Sequence, residues 1–379
     1  MDRALLCAAM IAAVVGCYPI AIYPVLVRLV ARVRPRGWKE GRVSVEVAHV
    51  ITVHNEERRI GAKLENALAV RYPGGRADIV VTSDGSTDGT EAIVRTFAPR
   101  GVRWLSSPRR SKEHAQIEAV RQTNAPILVF SDASTMLESG SVEALLAPLA
   151  DPEVGATSGA DVIATAGPGT GEEIYVPYEM ALRRAESLAG SLVGLSGCFF
   201  AARREIAREF KDDVPSDLGA ALICLSRGLR AVHVDPARCT YATTPEVDRE
   251  FLRKRRTALR GIRGLIAYKA SFAGRRPVAT WQLVSHKLLR FLTPVFFALS
   301  AGLLLAAAAI GSRPAALLAG IGLAAVAVAS VSLAWAPARR YRLPRALGFF
   351  LLSNAAVAAA LLDLVIGRTA VSWTPTRRA

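Results

Sequence analysis

The sequence contains few cysteines, and their arrangement excludes two kinds of cross-linked scaffold. Only 5 of the 379 residues are cysteine, an odd number, and none forms a CxxC pair or a cysteine–histidine cluster with zinc spacing. We therefore expect neither a disulfide framework nor a structural zinc site. A mean hydropathy of +0.28 with 21% charged residues also excludes a disordered or collagen-like chain. The length allows two domains, or one domain and several membrane spans.

Acidic residues are also scarce relative to basic ones. The chain has 32 acidic and 48 basic side chains, which gives a formal net charge of +16. Such an excess predicts an anionic partner: nucleic acid, the anionic surface of a membrane, or a phosphate-bearing substrate. The densest basic run, residues 249–263, lies shortly before a long apolar run. This position favours contact with membrane lipids or with a substrate diphosphate, and we expect no nucleic acid partner.

Four apolar runs are long enough to cross a membrane, which takes about 20 residues. They are residues 4–30, 291–310, 315–335 and 346–366. Arginines follow the first run and also occupy 339–345, and basic flanks stay in the cytoplasm. Both groups predict that the domain between the first two runs is cytoplasmic. The fourth run is the least secure span, because it contains Asp363 and because counting the crossings puts its arginine-containing tail outside.

Between residues 45 and 249 the pattern changes to short aliphatic runs that alternate with helical stretches. This alternation predicts an α/β domain with a mostly parallel sheet and helices on both faces. Three of the predicted strands end in polar residues, at 54–56, 83–84 and 131–132. Ligands of open α/β sheets bind at the carboxyl ends of the strands, so these three positions form the candidate site.

One of these strand ends opens the motif SDGSTDGT, residues 83–90. Its glycines permit a tight strand-to-helix turn, but their spacing matches neither the dinucleotide-binding GxGxxG nor the P-loop fingerprint. The order of the neighbouring motifs is more specific: TVHNEERRI precedes it, and it is followed by VFSDAST, SGCFFAARREI, PSDLGAALICLSRGLRAVHVDP and REFLRKRRTALRG. Over residues 45–263 this series resembles the membrane-bound family 2 glycosyltransferases, the group of cellulose, hyaluronan and other bacterial polysaccharide synthases.

The resemblance implies a nucleotide-sugar-binding, GT-A-like fold and a set of donor-binding residues. Glu56 and Asp84 match the acids that hold the base and ribose of the nucleotide, and Lys112 matches a lysine near it. Asp132 matches the first acid of the DxD motif, which binds the diphosphate and a divalent cation, Mg²⁺ or Mn²⁺. Ser134 stands where the second acid is expected. A divalent metal is therefore an expected cofactor, with other oxygen ligands from the diphosphate and water.

The resemblance also implies a catalytic base. Inverting sugar transfer needs a carboxylate that takes the proton of the acceptor hydroxyl as its oxygen attacks the anomeric carbon. Asp217 matches this base by its distance from the strand motif GLRAVHVDP, although Ser216 replaces the acid that usually precedes it. Asp212 and Asp213 are the competing candidates.

In the processive members of the family, a QxxRW motif covers the acceptor and binds the diphosphate. Arg256 matches its arginine, and Thr257 replaces its tryptophan. We therefore expect Arg256 to stabilise the leaving group. The acceptor-stacking platform is missing, which argues against a processive polymer synthase.

These expectations combine into one organisation. Residues 1–36 form an N-terminal span with a basic flank, 37–249 a cytosolic glycosyltransferase domain, 250–290 basic interface helices, and 291–379 about three spans and a tail. The expected function is inverting transfer from a nucleotide-sugar to a membrane-associated saccharide or polyprenyl-linked acceptor in cell-surface polysaccharide synthesis, at the inner (plasma) membrane. Two alternatives stay open: a processive synthase with a secretion channel, and a catalytically silent scaffold of a polysaccharide assembly complex.

Overall fold

The computed structural model describes residues 2–164, 172–241 and 247–368; Arg377 and Arg378 of the predicted tail lie outside these ranges. The helices in chain order are α1 (Asp2–Cys17), α2 (Tyr23–Val33), α3 (Ile60–Ala69), α4 (Thr90–Thr96), α5 (Lys112–Arg121), α6 (Ser141–Leu146), α7 (Glu172–Ala189), α8 (Arg204–Ala207), α9 (Ser216–Ser226), α10 (Val247–Ala267), α11 (Pro277–Gln282), α12 (Leu289–Ala309), α13 (Arg313–Ala334) and α14 (Arg342–Val365). The strands are β1 (Val47–Val53), β2 (Asp78–Asp84), β3 (Val102–Ser107), β4 (Ile127–Asp132), β5 (Met136–Leu137), β6 (Val154–Ile163), β7 (Phe199–Arg203) and β8 (Arg230–Tyr241).

The eight strands form one mixed sheet in the order β3-β2-β1-β4-β7-β6-β8-β5. The first four in this order are parallel, as their connecting helices α3, α4 and α5 require. β7 pairs antiparallel with both β4 and β6, and β8 returns parallel to β6. The α/β class that the sequence predicts is therefore confirmed, with a sheet that is parallel on one side of β7 and mixed on the other.

Alternate residues of the central strands point to opposite faces of the sheet, and each face is covered. Helices α5 and α9 bury one set, which includes Val50, Leu128 and Phe130. Helices α3 and α4 bury another, which includes Ile51 and Val81. Because both faces are covered, β1 is buried at all seven positions and reads as one aliphatic run. The ends of these strands, not their faces, are left for a ligand.

Within the described residues, four helical segments are long and apolar enough to cross a membrane: Asp2–Val33, Pro277–Ala309, Arg313–Ala334 and Arg342–Val365. The first consists of α1 and α2 joined by a π-helical turn, Tyr18–Ile22. α1 packs along α12, where the Ser300 hydroxyl donates to the carbonyl of Ala9 at 2.9 Å. The two segments that flank the α/β domain in sequence therefore lie side by side.

A buried arginine joins the linker after α2 to the α/β domain. Arg230, the first residue of β8, is 0% exposed. Its guanidinium donates to the carbonyl oxygens of Gly190, Ser187, Arg36 and Gly37 at 2.7–2.8 Å. Burial, followed by the charges of Arg36 and Arg276, lowers its pKa to about 10, and the opposing acids Glu153 and Asp151 do not offset this. The carbonyls therefore take the place of the water that this cation has lost.

We expect Arg230→Met to lower the free energy of unfolding by about 3–5 kcal/mol, because it leaves four carbonyl oxygens without their buried donor. Thermal unfolding of the detergent-purified protein measures the change. Arg184→Met is the matched control: Arg184 pairs with Asp235 but is 56% exposed. Its loss should cost less than about 1 kcal/mol. Equal effects of the two substitutions would contradict a bracing role for Arg230.

Candidate active site

The carboxyl ends of β1, β2 and β4 meet at one edge of the sheet. In the register of these strands Val53 lies beside Ser83, and Thr52 lies beside Asp132. Asp84 ends β2, Asp132 ends β4, and the loop with Glu56 follows β1. The three polar strand ends that the sequence singles out are therefore neighbours in the fold.

The loop after β1 is fastened to the loop after β2 by reciprocal hydrogen bonds. Asn55, with a left-handed φ of 55°, accepts from the backbone N–H of Thr87 at 2.8 Å. Glu57 accepts from the N–H of Gly89 at 2.9 Å, and its own N–H donates to Asp88 at 3.1 Å. These bonds hold the two loops at a fixed separation above the strand ends.

Glu56 lies inside this pair of loops. It is 9% exposed, and its N–H donates to the hydroxyl of Thr90 at 2.9 Å. Its carboxylate is 3.4 Å from the guanidinium of Arg59 one turn later. The carboxylate is thus held in place at the predicted nucleotide side of the site.

Asp84 is almost completely buried and organises the segment before α5. Its carboxylate accepts from the backbone N–H of Arg110 at 2.7 Å and from the guanidinium of Arg109 at 3.0 Å. Gly85 has a φ of +63°, and a Cβ there would lie 2.9 Å from the Arg109 nitrogen, so only glycine fits. Arg109 is an addition to the predicted site: the sequence does not show that it reaches Asp84.

Asp132 forms an ion pair with Lys112, the first residue of α5. The Lys112 Nζ lies 2.5 Å from Asp132 Oδ1 and donates to the carbonyl of Gly197 at 3.1 Å. Burial alone would lower the pKa of Lys112, but the Asp132 carboxylate, with Glu113 and Asp217 farther away, outweighs it and raises this pKa. Lys112 is therefore a fixed positive charge at the place where a diphosphate is expected.

The residues around Asp132 fit a divalent cation only if a substrate supplies most of its ligands. Across the described ranges, no three His, Cys, Asp or Glu side chains converge as a ready metal site. Asp132 contributes one carboxylate, and Ser134 contributes a neutral hydroxyl at most. Mg²⁺ commonly binds through one or two carboxylates together with substrate phosphates and water. Asp132 is thus a suitable protein ligand for a metal that arrives with a diphosphate.

Asp217 lies in the first turn of α9, next to the Lys112–Asp132 pair. A Cβ on Gly197 would approach Asp217 Oδ2 to 3.2 Å, so the glycine lets this backbone turn lie against the carboxylate. The N–H of Leu195 donates to the carbonyl of Asp217 at 3.3 Å. Asp132, Lys112, Gly197 and Asp217 therefore form one continuous line of contacts.

The competing acids Asp212 and Asp213 lie elsewhere. Both are exposed, and Asp212 pairs with Arg110 at 3.3 Å. They line a groove of about 660 Å³ between α5 and the segment before α9, together with His114 and Lys211. Of the three candidate bases, only Asp217 contacts the turn that Lys112 binds.

A second buried cation lies on the other side of Asp217. Arg183 of α7 pairs with Asp161 at 3.3 Å and with Glu179 at 3.5 Å, and the Ser196 hydroxyl donates to Asp161. Burial would lower the pKa of Arg183, but Asp161, Glu179 and, farther away, Asp217 raise it. The sequence pattern does not predict this group. Asp161 near the end of β6 is its only local signal, and the helical position of Arg183 suggests nothing more than an exposed face.

Lys63 of α3 is hydrogen-bonded to the loop that follows Asp132. It is 0% exposed, and its Nζ donates to the carbonyl of Thr135 at 2.7 Å. Burial lowers its pKa to about 7. Asn66, one turn later, donates to the carbonyl of Leu137 and accepts from its N–H, each at 2.9 Å. The loop that carries Asp132 and Ser134 is therefore held by α3.

Helix α10 places Arg256 beside the start of α5. Arg260 forms a buried ion pair with Glu113, the neighbour of Lys112. One turn earlier, Arg256 is half-buried; burial, followed by the charges of Arg260 and Arg253, lowers its pKa. The side chain of Arg249, at the start of this basic run, lies outside the described residues. Arg256 thus lies on the same side of α10 as the predicted diphosphate site.

Comparison with known proteins agrees with this geometry. The profile of the family described as Glycosyl transferase family 2 matches residues 49–210. A 4,4'-diaponeurosporenoate glycosyltransferase of Staphylococcus aureus (strain MRSA252) is 31% identical over 106 residues, and the corresponding enzyme of strain USA300 is 30% identical. The alignment spans 26% of this chain and only 26% of the length of these curated relatives.

A solved structure matches nearly the whole chain. It is the mannosyltransferase PcManGT from Pyrobaculum calidifontis in complex with GDP-Man and Mn²⁺, with 25% sequence identity and a TM-score of 0.72. The match covers 96% of this chain and 99% of that one. The profile, the curated relatives and this fold point to the same group, as the sequence predicts: residues 49–210 match a family 2 glycosyltransferase domain, the fold is GT-A-like, and four apolar helices flank the domain.

Proposed function

We propose that the protein is an inverting glycosyltransferase that moves a sugar from a nucleotide-sugar donor to a membrane-associated saccharide or polyprenyl-linked acceptor. The observation that carries this proposal is the line of contacts from Asp132 through Lys112 and Gly197 to Asp217. It would bring a diphosphate anchor and a carboxylate base together at the turn that contains Gly197. An inverting transfer needs both, on opposite sides of the anomeric carbon.

The nucleotide end of the donor would lie between the loops after β1 and β2, against Glu56 and Asp84. The family members with similar sequence or fold act on glycosyl groups, and PcManGT was crystallised with GDP-Man and Mn²⁺. A GDP-sugar is therefore the first donor to test. Arg109, which is bonded to Asp84, would lie beside the nucleoside.

In the proposed reaction, the acceptor hydroxyl attacks the anomeric carbon as the bond to the diphosphate breaks. Asp217 takes the hydroxyl proton, and the electron pair of the broken bond stays on the nucleoside diphosphate. The ammonium of Lys112 and the guanidinium of Arg256 offset the charge that develops there. A divalent cation held by Asp132 and the diphosphate would add Lewis-acid stabilisation when bound.

The acceptor is proposed to come from the membrane because the Asp217 side of the site faces the apolar helices. Arg183, next to Asp217, pairs with Glu179, and Glu179 is 3.8 Å from Arg290 at the start of α12. Two ion pairs therefore connect Arg183, which is within electrostatic range of Asp217, to a predicted span. This placement supports a cytoplasmic catalytic domain on the membrane surface, with an acceptor whose lipid part stays in the bilayer.

Single additions are favoured over processive synthesis. Thr257, in place of the tryptophan of QxxRW, is exposed and offers no aromatic platform for a growing chain.

The scaffold alternative, suggested by Ser134 and Ser216, differs from the proposed enzyme in its ligands. An active transferase binds a nucleotide-sugar, whereas a silent scaffold would bind none.

Replacing the proposed base should separate binding from catalysis. Asp217→Asn keeps the size of the side chain but cannot take the proton, so transfer should fall by about 10²–10⁴-fold. Donor affinity, measured by calorimetry with a hydrolysis-resistant donor, should change by less than about threefold, because Lys112 and Asp132 are untouched. Asp213→Asn is the matched control and should leave transfer unchanged. Normal turnover in Asp217→Asn, or its loss in Asp213→Asn, would contradict the assignment.

Donor binding should depend on a divalent metal. A thermal-shift series with GDP- and UDP-sugars, each with and without Mn²⁺, measures this directly, because a ligand that binds only the folded state stabilises it by mass action. We expect one nucleotide class to raise the unfolding temperature with Mn²⁺ and to lose most of this effect in EDTA. Absence of any shift across the series would favour the scaffold alternative.

Restoring the second carboxylate should strengthen metal binding. Ser134→Asp would give the cation a second anionic oxygen, so the Mn²⁺ concentration for half-maximal donor binding should fall by about tenfold. Ser134→Asn has nearly the same shape without the charge and should leave this concentration within about twofold of the original. If both substitutions act alike, the side chain at position 134 does not contact the metal.

A further inference from the structure

Helix α14 has the length and composition of a fourth span, but both of its halves contact a helix that cannot enter the bilayer. That helix is α10. Between Glu250 and Arg263 it carries seven ionisable side chains. A charged side chain at the centre of a bilayer costs at least about 2.5–3.5 kcal/mol, so α10 must stay at or outside the membrane surface.

The contacts between the two helices extend along most of α14. Near its start, the ring of Phe349 lies 4.2 Å from the Lys254 ammonium. Near its end, Asp363 accepts two hydrogen bonds of 2.6 Å from Arg255. Just after it, the carbonyl of Arg368 accepts from Arg263 at 2.7 Å. Phe349 and Asp363 are about 21 Å apart along α14 at 1.5 Å per residue, yet their partners Lys254 and Arg255 are adjacent on α10, so both halves of α14 lie close to one short stretch of α10.

Apolar residues fill the space between these polar contacts. Three buried side chains of α10 pack against the second half of α14: Ala258, Leu259 and Ile262 contact a cluster that includes Val357, Ala360, Leu361 and Leu364. The second half of α14 is therefore packed against α10 by apolar side chains. If α14 crossed the bilayer, the charged stretch of α10 would have to lie beside it in the hydrocarbon.

The position of α10 is fixed independently by the catalytic domain. Arg260 pairs with the buried Glu113 of α5, and Lys211 donates to the carbonyl of Ala267, the last residue of α10, at 2.9 Å. The start of α14 also touches this domain, because the ring centroids of Phe349 and Tyr175 of α7 are 5.9 Å apart. The start of α14 therefore lies beside the catalytic domain, where Gly348 also packs against Ser332 near the end of α13, and the end of α14 lies beside α10.

The outer surface of the pair suits a lipid–water boundary. At the end of α14 the exposed side chains are apolar: Leu362 (65%), Val365 (83%) and Ile366 (59%), the residue that follows the helix. On α10, Leu252 and Ile266 are exposed to a similar degree. This apolar strip has arginine and lysine side chains along its border, as in helices that lie in the interfacial plane and bind anionic lipid headgroups.

We propose that α10 and α14 form a platform that lies flat on the cytoplasmic leaflet, so that the chain crosses the membrane three times and α14 does not cross it. This proposal rests on the membrane placement in the proposed function, but not on the reaction. It removes the conflict in the charge distribution of the sequence, because the arginines of the C-terminal tail are then cytoplasmic, as the positive-inside rule requires. It also gives Asp363 a role as the ion-pair partner of α10.

Three matched arginine-to-cysteine variants of the full chain test the topology. Arg313 begins α13, Arg340 precedes α14 and Arg368 follows it, and all three are exposed. Each is introduced into a background with Cys7→Ala and Cys17→Ala, and cells are treated with a membrane-impermeant maleimide before and after permeabilisation. We expect Arg313→Cys to react in intact cells, and Arg340→Cys and Arg368→Cys to react only after permeabilisation.

The outcomes separate this proposal from the proposed function. If Arg368→Cys reacts in intact cells like Arg313→Cys, α14 crosses the membrane and the platform is wrong, while the membrane placement stands. If the protein is soluble, or Arg313→Cys is protected in intact cells, the membrane placement itself fails and the platform with it. A transfer assay on the same variants reports separately on the reaction.

Depth measurements in anionic vesicles provide a second test that does not depend on the tail. A fluorophore attached at Ala355→Cys or Leu362→Cys, both exposed on α14, is quenched by spin-labelled lipids of known depth. Leu323→Cys, exposed in the middle of α13, is the deep control. A flat α14 places both of its positions near the headgroups. If Ala355→Cys is as deep as Leu323→Cys, α14 spans the bilayer and the proposal is overturned.

Discussion

The ion pair between Lys112 and Asp132 is the contact on which the geometry of the site depends. It joins the end of β4 to the start of α5, and the same ammonium binds the carbonyl of Gly197 before β7. Three segments that are distant in sequence meet at one nitrogen atom. A partly buried carboxylate without a positive neighbour would be costly, so Lys112 stabilises Asp132 before any substrate arrives. A donor diphosphate that enters here meets a cation already held in place, which limits the reorganisation that its binding requires.

A series of ion pairs continues from this contact to the apolar helices. Glu113, next to Lys112, pairs with Arg260 of α10, and Arg255 of the same helix pairs with Asp363 of α14. On the opposite side of Asp217, Arg183 and Glu179 lead to α12. The edge of the sheet that carries the candidate site is therefore attached to the predicted membrane helices along two routes. A lipid-linked acceptor that moves along the membrane surface would reach the base between them.

The sequence predicts the parts of this arrangement that have a local signal. Strands β1, β2 and β4 are continuous aliphatic runs, and the carboxyl ends of parallel strands share an edge, so the proximity of Glu56, Asp84 and Asp132 follows. The sequence gives little sign of β7, because its five residues include no β-branched side chain and run directly into α8. The sequence gives no sign of the buried positions of Lys63 and Arg183, because the pattern of an amphipathic helix predicts that its charged residues are exposed. Only tertiary packing places Lys63 against a buried carbonyl and Arg183 against buried carboxylates. The roles of the predicted residues stay predictions that the geometry supports.

Charge balance explains how the site can tolerate the loss of the second acid of its DxD motif. Two carboxylates at the end of β4 would repel each other and the donor diphosphate, and they need a bound cation to offset that repulsion. With Ser134 in the second position, the end of β4 carries one carboxylate, and Lys112 pairs with it. A diphosphate that binds here would then meet less negative charge at this strand end, even before a metal binds. We infer that the Lys112 ammonium takes over part of the charge neutralisation that a metal would otherwise provide. The metal would then bind together with the donor.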